Sequence, residues 1–167
     1  MNTRLRAREG EYDMIHMIQN AKDQAARLTL AAYAAAAAAG ELPQAEITAV
    51  PVEIPKDTAN GDFTSTFAMA CARQLKLPPR KIAEALLARL DLDGSYFTSA
   101  EIAGPGFLNF RLGKTWYHDV LSAVETEGEN YGSADALHGQ KIMVEFVSAN
   151  PTGPMHMGNA RGGVLGD

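Results

Sequence analysis

The chain has 167 residues, 46% of them hydrophobic, which suffices for one well-cored domain and not for two large ones. No apolar run is long enough to cross a bilayer, no cleavable signal is apparent, and the single Cys71 cannot form an internal disulfide, so a soluble, cytoplasmic monomer without membrane contact is expected. A net charge of −5 argues against indiscriminate nucleic-acid binding, yet Phe63 to Lys114 holds seven Lys/Arg against four Asp/Glu and Asp119 to Asp135 holds five acids and no base, so a polyanion should meet the middle of the chain.

Residues 1–13 are charged and aperiodic and read as a flexible arm. A helix is predicted from Met14 to Ala39, because Ile18, Ala21, Ala25, Leu28 and Ala32 recur at three- and four-residue steps, and Gly40 and Pro43 stop it. Its alanine run needs only helix propensity to explain it. Ala45 to Ile54 alternates like a strand, but Pro51 and Pro55 cannot donate to a ladder and place it at a sheet edge. Asp57 to Asp62 is a turn carrying Asn60-Gly61. A helix is then predicted from Thr64, with Phe67, Cys71 and Leu75 at four-residue spacing and Cys71 in a packing role. Pro78-Pro79 ends it and starts another that reaches Leu90. Arg73, Lys76, Arg80 and Lys81 near the junction form either a solvated face or a track for RNA phosphates.

Tyr96 to Ile102 and Phe107 to Leu112, joined by Gly104-Pro105-Gly106, predict an antiparallel hairpin. In its second strand Leu108, Phe110 and Leu112 face one way and Phe107, Asn109 and Arg111 the other. The second set offers a ring to stack on a base, an amide to read its edge and a guanidinium for a phosphate. The alternative is a partly buried strand with Phe107 covered by a helix. Thr115 to Gly128 reads as a helix with Trp116, Val120 and Val124 on one stripe, and His118 on it has no metal-spaced partner. Gly128 to Gln140 is a polar, acidic linker. Neither His138 nor Gly132-Ser133 within it matches a known site pattern.

Ile142 to Val147 reads as an apolar strand, followed by a Gly/Pro-rich turn and a helix opening near Met157, the strand-loop-helix form of a phosphate site. Gly158 has no Cβ, so a flat base or sugar can approach the backbone, and the side chains of His156 and Asn159, one turn apart, can aim at one phosphate chain. Alone, a His-x-Gly-Asn string is weak, since a histidine beside a glycine is more often a cap or a packing residue.

The stretch VEFVSANPTGPMHMGNARGGVLGD resembles the first signature of class I aminoacyl-tRNA synthetases, and SANPTGP and ARGGVLGD on its flanks are similar to those of arginyl-tRNA synthetases. PKDTANGDFTSTFAMACARQLKLPPRKIAEAL and AGPGFLNFRL extend the resemblance over most of Val52 to Asp167. That family usually closes the signature with His, where this chain has Asn159, an amide that donates a hydrogen bond but carries no charge. The resemblance implies an α+β N-terminal tRNA-binding domain over 14–127 with a long helix, a helix pair and an antiparallel sheet. A linker over 128–140 would follow, and over 141–167 the first strand-loop-helix of a Rossmann-like α/β catalytic domain.

The implied activity is ATP-dependent ligation of arginine to its tRNA, with Mg2+ on the ATP phosphates. His156 and Asn159 would be catalytic and, with Gly158, would bind ATP; Ser148 and Asn150 would hold arginine, and Glu145 would orient. Phe107, Asn109 and Arg111 would contact the tRNA D-loop, as the matching strand does in the family. MIQNAKDQAARL resembles the opening of related synthetases, so Met14 or Met17 is an expected physiological start. Because 141–167 is only the beginning of a catalytic domain, the isolated chain is expected to be inactive, and a non-catalytic tRNA-elbow module stands as the alternative.

Overall fold

The computed structural model describes residues 14–47, 49–133, 139–145, 147 and 153–166. It divides into two compact units, Met1–Ser133 and Ala134–Asp167. The expected arm over residues 1–13 lies outside the described residues.

The first unit starts with helix α1, Met14–Ala38, ending within one residue of its predicted stop. Met17, Ala21, Ala25, Thr29, Ala32 and Ala36 are buried along one stripe. The alanines among them let the helix lie close to its neighbours, which gives part of the alanine run a packing role beyond propensity. Tyr33 pins the chain that leaves the helix: its hydroxyl donates to the Pro43 carbonyl (2.9 Å) and accepts from the Ala45 amide (2.8 Å).

Strand β1 is only Val52–Glu53, at the edge of the sheet as the flanking prolines require. A single 3-10 turn, Thr58–Asn60, follows, capped by the Asp57 side chain, which accepts from the Ala59 amide at 2.9 Å. The next element departs from expectation. Phe63–Ser65 is strand β2 rather than the start of a helix, and helix α2 runs from Phe67 to Leu75. Helix α3 spans Pro79–Arg89, strand β3 Phe97–Ala103, strand β4 Phe107–Leu112 and helix α4 Lys114–Glu127.

The strands form one antiparallel sheet in the order β1-β2-β4-β3, with β2 and β4 central. Gly61 makes that arrangement possible. Its φ is +90°, and a Cβ there would lie 2.7 Å from the Phe110 carbonyl oxygen. The Asp62 carboxylate then continues the ladder by accepting from the Leu112 amide at 2.7 Å.

Two apolar clusters join the helices to one face of this sheet. Tyr33, Ala36, Phe67, Cys71, Leu75, Ile82 and Leu86 bind α1 to α2 and α3, and Ala21, Ala25, Phe63, Phe97, Leu108 and Phe110 bind α1 to the strands. Helix α4 is anchored by Trp116, whose Nε1 donates to the Met17 carbonyl (3.3 Å), and by buried Ala123. Val124, expected on the packed stripe, is 37% exposed, because α4 is held at Trp116 and Ala123 and Val124 lies one position beyond the buried line.

In the second unit, helix α5 spans Met157–Gly166, beginning where the sequence predicts. The strand expected over Ile142–Val147 is absent among its described residues. Residues 141–145 and 147 have no regular secondary structure, with Ile142, Met143 and Val144 all exposed. An apolar parallel strand is stable only with neighbours on its edges and layers over both faces, and the described residues of this unit supply no other strand. Among the described residues the Rossmann-like continuation is represented only by the start of helix α5.

Candidate functional site

Residues directly opposite one another in an antiparallel sheet point to the same side. The register pairs Glu53 with Thr64, Thr64 with Asn109, and Asn109 with Glu101, so these four side chains form one row across all four strands. Phe107 and Arg111 lie on the same face, two residues either side of Asn109, opposite to the Leu108 and Phe110 face that packs on α1. The three residues picked out on β4 are thus brought to one face, as their alternation implies.

Their accessibility differs from the simple picture of a ring, an amide and a guanidinium held out to solvent. Asn109 is only 2% exposed. In a central strand, flanked by Thr64 and Glu101 across the sheet and by Phe107 and Arg111 along the chain, it sits at the floor of the face. Phe107 is partly buried beside the hairpin turn, where a Cβ on Gly104 would lie 3.6 Å from its ring. The Arg111 side chain is 44% exposed and donates from one Nη to the Ala59 carbonyl (2.7 Å) and to Glu101 (3.1 Å). An exposed pair of this kind adds little stability and is readily exchanged for another anion. The guanidinium is therefore oriented but available.

Thr64 escaped the sequence reading, which placed it at a helix start. It is 7% exposed, and its hydroxyl is buried with no hydrogen-bond partner among the described residues. The available signal was Phe63-Thr64-Ser65, an aromatic and a β-branched residue after an Asn-Gly turn, but three residues are too few to show a period.

The basic residues near the α2–α3 junction, Arg73, Lys76, Arg80 and Lys81, are all exposed. Arg80 pairs with Glu84 (3.2 Å) and donates to the Gly104 carbonyl (3.2 Å), so it ties α3 to the hairpin turn. His118 is exposed and its Nδ1 lies 3.7 Å from Asp119.

In the second unit His156 precedes the first residue of α5. Its Nδ1 accepts from the Gly158 amide (3.1 Å), while the Asn159 Oδ1 accepts from the His156 amide (3.3 Å). The two side chains close a reciprocal cap on their own helix, as a capping box does. A Cβ on Gly158 would fall 2.9 Å from the imidazole Cε1, so the space left open by that glycine holds the His156 ring. An ATP phosphate would meet the same first-turn amides after exchanging these local bonds. Ser148 and Asn150 lie outside the described residues, and Glu145 is exposed.

Residues 24–112 match the family model for the arginyl-tRNA synthetase N-terminal domain, from the middle of α1 to the last residue of β4. The chain belongs to this family. The arginine–tRNA ligase of Acetivibrio thermocellus is 46% identical over 92% of the chain, and that of Desulforamulus reducens 45% over 90%. The chain spans about a quarter of the length of these curated relatives, 27% of each. The solved arginyl-tRNA synthetase of Thermus thermophilus is 25% identical over 87% of the chain and 22% of its own, with a TM-score of 0.42. Membership in the arginyl-tRNA synthetase family rests on the sequence matches.

Proposed function

We propose that this chain is the tRNA-binding N-terminal part of an arginine–tRNA ligase, an enzyme that uses ATP to activate arginine and transfers it to the terminal ribose of its tRNA. The observation that carries the reading is the family match over 24–112, which takes in the whole of β4 with Phe107, Asn109 and Arg111. In this reading Arg111 takes a phosphate, Phe107 stacks on a base, and Asn109 meets a base edge once the ligand draws the exposed side chains around it aside. The partners are tRNA for arginine, arginine and ATP.

In the complete protein the α5 start would belong to the ATP site. His156 and the first-turn amides would face the phosphates, Gly158 would admit the adenosine, and Asn159 would donate to phosphate or ribose. Ser148 and Asn150 would hold arginine, with Glu145 orienting. Mg2+ would travel with the ATP phosphates and supply charge neutralisation there. The described residues fit this only in part: they offer hydrogen bonds at a helix start and, among themselves, no enclosing walls, whereas activation depends on charge held in place in a closed site. A second reading, a non-catalytic tRNA-elbow module, has one observation in its favour, the use of His156 and Asn159 in capping α5, while the family match supports the first reading better.

Arginine-dependent pyrophosphate exchange, run with tRNA present, tests the combined reading. The chain should bind tRNA for arginine yet show no exchange above a His156→Ala control. Exchange above that control would contradict the account of the second unit, and loss of all tRNA binding would contradict that of the first.

A further inference from the structure

The row across the sheet holds a group with no structural use. Thr64 stands directly opposite Asn109 in the register, its side chain is more than nine-tenths buried, and its hydroxyl has no partner among the described residues. A buried hydroxyl without a hydrogen bond is destabilising, and valine of nearly the same shape would remove that cost. Valine would also suit a central strand at least as well as threonine. Neither the fold nor strand propensity accounts for a hydroxyl at this point.

We infer that Thr64 is a base-reading residue of the tRNA-binding face, its hydroxyl paired with the Asn109 amide to form a two-point contact for the edge of an unstacked nucleobase. The inference rests on the proposed tRNA-binding role of β4 and adds a residue from β2 to it. A hydroxyl both donates and accepts, and an amide does the same through separate atoms, so the adjacent pair can match a base edge that presents a donor next to an acceptor.

The charges around the pair favour a base over a phosphate. Glu53 and Glu101 close the row at its two ends, both exposed, and carboxylates on either side repel a phosphate from the middle. The cation is displaced along β4, at Arg111, where a phosphate can replace Glu101 as its partner. A nucleotide lying with its phosphate at Arg111 and its base toward Thr64 and Asn109 meets the matching chemistry at each end. Phe107, on the far side of Asn109 from Arg111, offers the ring face. For a base to reach the hydroxyl, the Thr64 side chain must rotate about its Cα–Cβ bond out of the buried position.

The test uses the whole chain, a transcript of tRNA for arginine, and three variants: Thr64→Val, Thr64→Ser and Arg111→Ala. Thr64→Val should weaken binding by about three- to tenfold, the size of one lost hydrogen bond. Its thermal midpoint should equal or exceed that of the parent, since a buried orphan has been removed. Thr64→Ser keeps the hydroxyl and should bind within about twofold of the parent. A purely structural Thr64 would give the opposite pattern, with stability moving and affinity following it. If Arg111→Ala weakens binding while Thr64→Val binds like the parent, the face binds RNA but the hydroxyl is not read, and the inference is overturned alone. If neither variant changes affinity, the assignment of this face to tRNA falls with it.

Discussion

At single positions, burial decides what chemistry remains. Cys71 lies in the α1–α2–α3 core, and burial holds its thiol pKa above the ordinary value because the thiolate would lose its hydration. At neutral pH it should react with a thiol reagent far more slowly in the folded chain than in denaturant, a comparison that a colorimetric assay makes directly. The sign for stability follows: the folded state keeps this proton longer, so the contribution is fully present below the unfolded thiol pKa and is lost as pH rises through the folded one. Asn159 gives a second case. Its bond to the His156 amide closes the α5 cap, so Asn159→Ala should cost the helix about 1 kcal/mol and speed amide exchange over the first turn of α5. Equal exchange rates would mean that the cap is not formed in solution. The one-turn spacing of His156 and Asn159 was legible in the sequence. That the imidazole would bond the Gly158 amide and the Asn159 side chain the His156 amide was not, since spacing fixes direction along a helix and says nothing of competing local partners.

Among the elements, those read correctly carry their signal locally. Helix α1 shows its stripe, Pro79 sits where a helix can begin, and Gly104-Pro105-Gly106 marks the hairpin. Strand β2 was missed because it is three residues long and its partner on β4 lies more than forty positions later, so only the folded sheet defines it. Alternation on β4 sorted Phe107, Asn109 and Arg111 onto one face correctly, but depth depends on neighbouring strands, and Asn109 proved to be a floor residue. Ile142, Met143, Val144 and Val147 show the converse: they satisfy the pattern of a buried strand, yet with no strand beside them among the described residues they stay exposed.

Joints between elements are where substitution should be felt. Gly106 has a φ of +147°, and a Cβ there would lie 2.9 Å from the Pro79 carbonyl carbon, so Gly106→Ala should push the hairpin off α3 and destabilise the unit by about 1–3 kcal/mol in a urea titration. Glu41 and Arg89 tie the turn after α1 to the end of α3, with Arg89 Nε donating to the carboxylate at 3.2 Å. Arg89 holds the Glu41 carboxyl below its ordinary pKa, mainly through that hydrogen bond. The pair's contribution is thus present above the unfolded carboxyl pKa and disappears as pH falls through the lowered one. An Arg89→Gln variant should differ from the parent in unfolding midpoint near neutrality and converge with it in acid.

For the whole molecule, the division of labour follows from what each unit encloses. The first buries two apolar clusters and presents one polar face of its sheet; the second presents a capped helix start and exposed apolar residues. Salt separates tRNA recognition by the β4 face from a purely structural role, because each phosphate neutralised by a cation adds a fixed increment to the slope of log affinity against log salt. Binding of tRNA for arginine should be titrated at several salt concentrations for the parent, Arg111→Ala and Asn109→Ala. Arg111→Ala should bind more weakly with a slope shallower by about 0.7 to 0.9, and Asn109→Ala should lose affinity at every salt concentration with its slope unchanged. Three superimposable titrations would contradict tRNA recognition by this face and leave Phe107, Asn109 and Arg111 as residues of the fold alone.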